Sequence, residues 1–108
     1  MNYEDMSDFE VNKWIWRLTM NGKTMHCHGT TIYKESTRYN EFDPCNNPSD
    51  AWPIIVENKI GVVHNWNEEG MWTAIAPISG VSCDCNGRKP LRAAMICFLK
   101  MKDAENGR

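Results

Sequence analysis

The pattern of apolar and polar positions predicts a helix near the start of the chain. Ser7 and Glu10 have the spacing of a capping box, in which each side chain accepts a hydrogen bond from the other residue's backbone amide. Asn21 and Gly22 can adopt the left-handed backbone conformation that commonly ends a helix. We therefore predict a helix from about Asp8 to about Met20.

The buried face of this helix follows from the spacing of its apolar residues. Positions that share one side of a helix recur every three or four residues, and here they are Val11, Trp14, Ile15 and Leu18. Trp16 stands two positions after Trp14, so we expect it to point away from that face.

A second helix is predicted over residues 49–58. Asn47 is a suitable cap and Pro48 suits the first helical position. Pro53 lacks an amide hydrogen, so the helix is either kinked there or begins again at that residue. The carboxylates of Asp50 and Glu57 are expected to cap this helix or to lie in solvent.

The last helix is predicted from Pro90 to Met101, and we expect it to be the most buried element. Its apolar residues recur at helical spacing and are Leu91, Ala94, Met95, Phe98 and Leu99. Residues 103–108 are expected to fray.

The remaining chain predicts short strands and loops. Lys23–Lys34 is rich in Thr, Tyr and Ile and looks extended, but Gly29 leaves open whether it forms two strands or one bulged strand. A β-hairpin is predicted from Lys59–Trp66 and Met71–Pro77, which flank a Gly-closed turn. Ile78–Lys89 contains turn-forming residues and is predicted to be a loop.

These elements predict a single α+β domain over residues 1–108, with a short antiparallel sheet of three to four strands packed by two to three helices. The 108 residues are 42% hydrophobic and 24% charged, which is ordinary for a globular domain. The net charge of −2 provides no general attraction for nucleic acid or anionic lipid. The acidic opening and the odd number of cysteines, five, favour a cytoplasmic protein with reduced thiols.

Two Cys/His segments are candidate metal ligands. Alternate residues of a strand share a face, so His26 and His28 point together, as do Cys83 and Cys85. Two imidazoles and two thiolates would form a tetrahedral zinc site if the segments met. Pairs with one intervening residue are atypical of structural zinc sites, so we expect no cofactor, with incidental histidines and thiols as the favoured interpretation.

Five of the twelve basic residues lie within fifteen positions near the last helix: Arg88, Lys89, Arg92, Lys100 and Lys102. Such a cluster is a candidate phosphate-contacting patch. A solvated helix face is the favoured alternative, because the domain is acidic overall.

The tryptophans are candidates for either a partner surface or the core. Trp66 is the candidate anchor, because it lies near the tip of the predicted hairpin, whereas Trp14, Trp52 and Trp72 are expected mainly in the core. No catalytic constellation is apparent, since in a strand Cys27 would face away from both neighbouring histidines. We therefore expect no enzymatic activity.

Three segments resemble a known family. Met6–Lys13, Phe42–Ile60 and Pro90–Leu99 have the order and spacing of the NinX-like family of small proteins from tailed phages and enterobacterial prophages. The resemblance implies a phage origin and a location in the host cytoplasm. It implies no activity or catalytic residue, because the family's function is unknown. Lys89 stands where the family usually has Asn, which lowers the predicted stability of the last helix by about 1 kcal/mol.

The leading functional hypothesis is a phage accessory protein that binds a host or phage protein. The alternative is a small metal- or nucleic-acid-binding regulator, which would use the His26/His28 and Cys83/Cys85 pairs or the basic cluster around Arg88–Arg92. We expect no membrane association, and the pattern predicts neither the partner's identity nor the oligomeric state.

Overall fold

The computed structural model describes residues 2–37, 39–64, 69–78, 80–86 and 89–106. In these ranges a single 3-10 turn, Tyr3–Asp5, precedes the first helix. The helices are α1 (Asp8–Thr19), α2 (Pro48–Glu57) and α3 (Pro90–Glu105). The strands are β1 (His26–His28), β2 (Thr31–Tyr33), β3 (Gly61–His64), β4 (Met71–Ile75) and β5 (Ser82–Asn86).

The strands form two antiparallel sheets. β1 and β2 make a two-stranded hairpin, and Gly29 takes a φ of 62° in the turn between them. The extended segment is therefore two strands and not one bulged strand. The second sheet has the order β3-β4-β5, and α3 packs against its central strand and against β5. The predicted α+β class, with antiparallel strands and three helices, is confirmed.

The prediction of a loop from Ile78 to Lys89 is wrong, because β5 lies within it. β5 pairs with β4 so that Cys83 faces Ala74, and both residues are buried. Its sequence, Ser-Cys-Asp-Cys-Asn, contains turn-forming residues and has low intrinsic strand preference. Backbone pairing with a neighbouring strand outweighs that preference, and no local pattern reports such a partner.

α1 begins as predicted but buries a different face. The capping box between Ser7 and Glu10 is present, and positive φ angles at Asn21 and Gly22 follow the helix. The buried residues are Val11, Asn12, Ile15 and Trp16. Trp14 is only half-buried and Leu18 is 44% exposed, so the prediction placed the buried face about one position away from its true location.

Contacts that Trp16 and Asn12 make outside the helix explain this rotation of α1. Trp16 packs edge-to-face against Phe42, and its indole N–H donates to the Lys23 carbonyl at 2.9 Å. The Asn12 side chain donates to Asp43 at 2.8 Å and accepts from the Cys45 amide at 3.2 Å. A polar residue can be buried when its hydrogen bonds are satisfied, so Asn12 occupies a position that an apolar pattern does not reveal.

α3 forms the centre of the hydrophobic core, as predicted. Every residue from Ala93 to Leu99 is buried, as is Met101. The helix continues through Glu105, beyond the predicted end at Met101. Lys89 precedes the helix without a side-chain capping hydrogen bond, in agreement with the expectation for lysine at that position.

α2 also differs in part from its prediction. Asn47 caps it by accepting from the Ser49 amide at 2.9 Å, as expected. The helix runs through Pro53 as one element and does not begin again there. Asp50 is buried and not solvated, because it accepts from the Asp43 amide at 3.0 Å and forms an ion pair with Lys34 at 2.7 Å. Among the described residues, no helix has the length and apolar character needed to cross a membrane.

Candidate functional site

The exposed side of α2 carries an apolar patch. Trp52 and Val56 lie one turn apart and are 62% and 55% exposed, while Pro53 between them is also exposed. On the opposite side of the helix, Ile54 and Ile55 pack into the core. We call the patch formed by Trp52, Pro53 and Val56 the α2 face.

A groove of about 510 Å³ runs beside the α2 face, between α2, the end of α1 and α3. Its apolar lining includes Phe42, Ile54 and Phe98, which are buried. Leu18, an exposed apolar residue of α1, also lines the groove, and Pro53 lines it while belonging to the α2 face. We call this cavity the helical groove.

The charges along the helical groove are unequally compensated. Lys34 is paired with the buried carboxylate of Asp50, and Lys102 is paired with Glu105 at 3.2 Å. Glu57 is exposed and has no ion-pair partner within the described ranges. The groove therefore has a mixed lining, with apolar side chains beside polar ones and one uncompensated carboxylate.

A second cavity of about 420 Å³ adjoins the helical groove. The two share Leu18 and Lys102 as lining residues. The second cavity is bordered by Tyr3, whose hydroxyl donates to Asp103 at 2.6 Å. Leu18 thus lies between two concave regions of the surface.

The candidate zinc ligands lie in different sheets. His26 and His28 are on β1 of the two-stranded hairpin, whereas Cys83 is buried on β5 of the three-stranded sheet. The Cys85 side chain lies outside the described part of the structure. Among the residues described, no three His, Cys, Asp or Glu side chains are grouped to hold a metal ion. The zinc hypothesis gains no support from this arrangement and stays a prediction.

The basic cluster near α3 is engaged by the acidic N-terminal segment. Lys89 and Arg92 both contact the Asp8 carboxylate, at 3.0 and 2.6 Å, and Lys100 pairs with Glu4 at 3.2 Å. Arg88 lies outside the described residues. The described members of the basic cluster therefore have carboxylate partners within the chain.

Asp8 also links the N-terminal segment to the rest of the fold. Burial raises the pKa of its carboxyl group, but hydrogen bonds from Asn46, Lys89 and Arg92 outweigh burial and hold that pKa below its ordinary value of 3.8. The charged form of Asp8 is thus the form that the folded chain stabilises.

The expectation that Trp52 lies mainly in the core is wrong, because its side chain is 62% exposed on α2. Trp66, the predicted anchor, lies outside the described residues. Trp72 is half-buried against His64, with ring centroids 4.9 Å apart. Trp16, expected to point outward, is buried. Helical spacing alone does not identify Trp52 as exposed, because Ile55 lies three residues further on and is buried.

The buried thiols are poor nucleophiles. Burial raises the pKa of Cys45 to about 12 and that of Cys97 to about 11. A thiol is reactive mainly as its thiolate, so the raised pKa values leave both cysteines little thiolate at neutral pH. Cys27 is exposed on β1.

Comparison with known proteins identifies a family for nearly the whole chain. The family model described as bacteriophage P22, NinX, matches residues 2–102. No curated protein and no solved structure matches the chain. The matched range includes all of α1 and α2, every described strand and most of α3. The chain therefore belongs to the bacteriophage P22 NinX family.

Proposed function

We propose that this phage accessory protein acts in the host cytoplasm by binding another protein, of host or phage origin, through the α2 face. Membership of the phage family supports the accessory role. The observation that carries the binding proposal is the 62% exposure of Trp52 on a helix whose other side is anchored in the core.

Trp52 has the properties of an interface anchor. Tryptophan is enriched among the residues that dominate binding energy, because burying its large ring removes much apolar surface from water. Its position on a packed helix means that little conformational entropy is lost when a partner covers it. Val56 extends the same surface by one turn.

The proposal is tested by comparing three baits: the full-length parent, Trp52→Ala and Tyr39→Ala. Tyr39 is 86% exposed and lies off α2, so it controls for the loss of an exposed aromatic ring. Each bait is incubated with lysate from infected and uninfected host cells, and bound proteins are quantified by mass spectrometry. We expect at least one protein that the parent and Tyr39→Ala retain and that Trp52→Ala loses.

Purified partner and chain then provide the direct measurement. Isothermal titration calorimetry should show an affinity loss of roughly 30-fold or more for Trp52→Ala, the usual effect of removing an anchor residue worth about 2 kcal/mol. Circular dichroism confirms that the variants are folded. Equal binding by parent and Trp52→Ala would refute the α2 face as the interface, and absence of any specific protein would refute the binding function.

A further inference from the structure

We infer that the helical groove receives a peptide segment of the partner protein in which a basic side chain lies next to an apolar one. The inference rests on the proposed protein-binding function and assigns the chemistry of the bound segment. It combines the apolar lining of the groove, its one uncompensated carboxylate and its continuity with the α2 face.

The apolar lining accounts for the apolar half of the segment. Leu18 and Pro53 supply exposed apolar surface in the groove, and its lining also includes the buried Phe42, Ile54 and Phe98. The space is about 510 Å³, within the range of about 300–1,000 Å³ that binding pockets occupy. Leu18 is 44% exposed at the edge, so an inserted side chain would cover apolar surface that water now contacts.

The polar groups along the groove explain why the bound segment should carry a basic side chain. Lys34 and Lys102 are already paired with carboxylates, so they offer little net attraction to an anion. Glu57 carries a negative charge without a cationic partner in the described ranges. Asn58 donates its side-chain amide to the Ile54 carbonyl at 2.8 Å, which leaves its own side-chain oxygen as an acceptor.

An acidic side chain and an acceptor oxygen on adjacent positions favour a donor with positive charge. The guanidinium of arginine and the ammonium of lysine both supply donors without any acceptor. An acidic or neutral segment would leave Glu57 without a counter-charge when the groove loses water. The groove is therefore complementary to a basic residue that follows or precedes an apolar one.

The groove and the α2 face form one continuous surface, because Pro53 belongs to both. A partner seated on Trp52 and Val56 would thus bring a neighbouring segment to the mouth of the groove. The two regions are separable by substitution, since Trp52 does not line the groove.

Two matched dipeptides test the inference on the full-length chain: N-acetyl-Phe-Arg-amide and N-acetyl-Phe-Glu-amide. Each is titrated to about 10 mM into ¹⁵N-labelled protein, a range that detects millimolar affinity. We expect the arginine peptide to shift the amide resonances of groove residues and the glutamate peptide to leave them unchanged.

Three variants locate the binding. Glu57→Gln should weaken the arginine peptide about threefold, the effect of losing one partly exposed ion pair. Leu18→Ser should weaken it by a similar factor, because it removes apolar contact at the edge. Glu69→Gln is the matched control, since Glu69 is an exposed carboxylate that does not line the groove, and it should not change the affinity.

The results separate this inference from the proposed function. Equal binding of both dipeptides, shifts confined to residues outside the groove, or no binding at the highest concentration would each overturn the inference. None of these results concerns the loss of a partner by Trp52→Ala. A partner that depends on Trp52, together with a groove that binds neither dipeptide, would leave the binding function standing and exclude the groove.

Discussion

Replacing Arg92 with methionine tests whether α3 holds the N-terminal segment in place. The Arg92 guanidinium donates to the Asp8 carboxylate at 2.6 Å and to the backbone carbonyls of Met6 and Glu4. The side chain is only 11% exposed, so water has little access to these contacts. Methionine keeps much of the apolar stem but removes every donor.

The expected loss of stability follows from these contacts. A hydrogen bond that involves a charged group contributes about 1.5–3 kcal/mol net. The contact with the Glu4 carbonyl is long, at 3.3 Å, and Asp8 keeps its ion pair with Lys89, so we count about two effective bonds. Removing the buried charge also relieves part of its desolvation cost. The variant should therefore be less stable by about 2–3 kcal/mol.

Urea unfolding measures this loss. Tryptophan fluorescence and far-UV circular dichroism should give coincident transitions, a lower midpoint and an unchanged slope with urea. In a thermal melt the same loss lowers Tm by about 10–20 °C for a domain of this size. Arg92→Lys should fall between parent and Arg92→Met, because lysine keeps the charge without the forked geometry.

Arg17→Met provides the matched control. Arg17 is an exposed cation that lies over the Trp14 ring at 5.3 Å, so its removal should cost less than about 1 kcal/mol. If Arg92→Met costs no more than this control, Arg92 does not hold the N-terminal segment in solution. The reasoning that assigns the basic cluster to intramolecular pairing would then fail.

Four further predictions follow from buried or charged groups. Hydrogen bonds lower the pKa of Asp8 despite its burial, so its charged form stabilises the fold above about pH 4, and this contribution is lost as the pH falls through the lower folded pKa. Asp8→Asn should therefore reduce the decline of the free energy of unfolding in acid, which urea melts at several pH values would measure. An unchanged acid profile would contradict this. Ellman's reagent should modify Cys27 in the native chain, whereas Cys45, with a pKa of about 12, should react only after unfolding; peptide mapping that finds Cys45 labelled first would contradict its burial. Trp16→Phe should lower the free energy of unfolding by about 1–3 kcal/mol, because the Lys23 carbonyl loses its hydrogen-bond donor. Chemical denaturation measures this, and a stability equal to the parent's would count against the hydrogen bond between Trp16 and Lys23. Phe98→Ala should cost about 3–5 kcal/mol, and urea curves that overlay those of the parent would show that α3 is not core.

The helix starts could be predicted because their stabilising contacts are local. The side chains of Ser7 and Glu10 each accept a hydrogen bond from the other's backbone amide within one turn, and Asn47 accepts from the Ser49 amide two residues away. Such contacts depend on fixed spacing and residue chemistry, so they can be recognised along the chain.

The candidate site could be predicted only in part. The family could be predicted from the sequence, whereas the exposure of Trp52 and the helical groove could not, and the Trp66 anchor stays a prediction. The groove is assembled from residues far apart in the chain, such as Leu18, Phe42 and Phe98. No periodic pattern encodes which of these side chains meet.

Local sequence thus determined the class of the fold, two helix caps, the central role of α3 and the family. Tertiary structure decided the face that α1 buries, the strand identity of β5 and the burial of Asp50. Each of these outcomes depends on a partner outside the helix or strand concerned: Phe42 and Lys23 for Trp16, β4 for β5, and Lys34 for Asp50. Long-range hydrogen bonds and packing can outweigh local preference because each contributes as much free energy as the preference itself, and they exist only once the chain has folded.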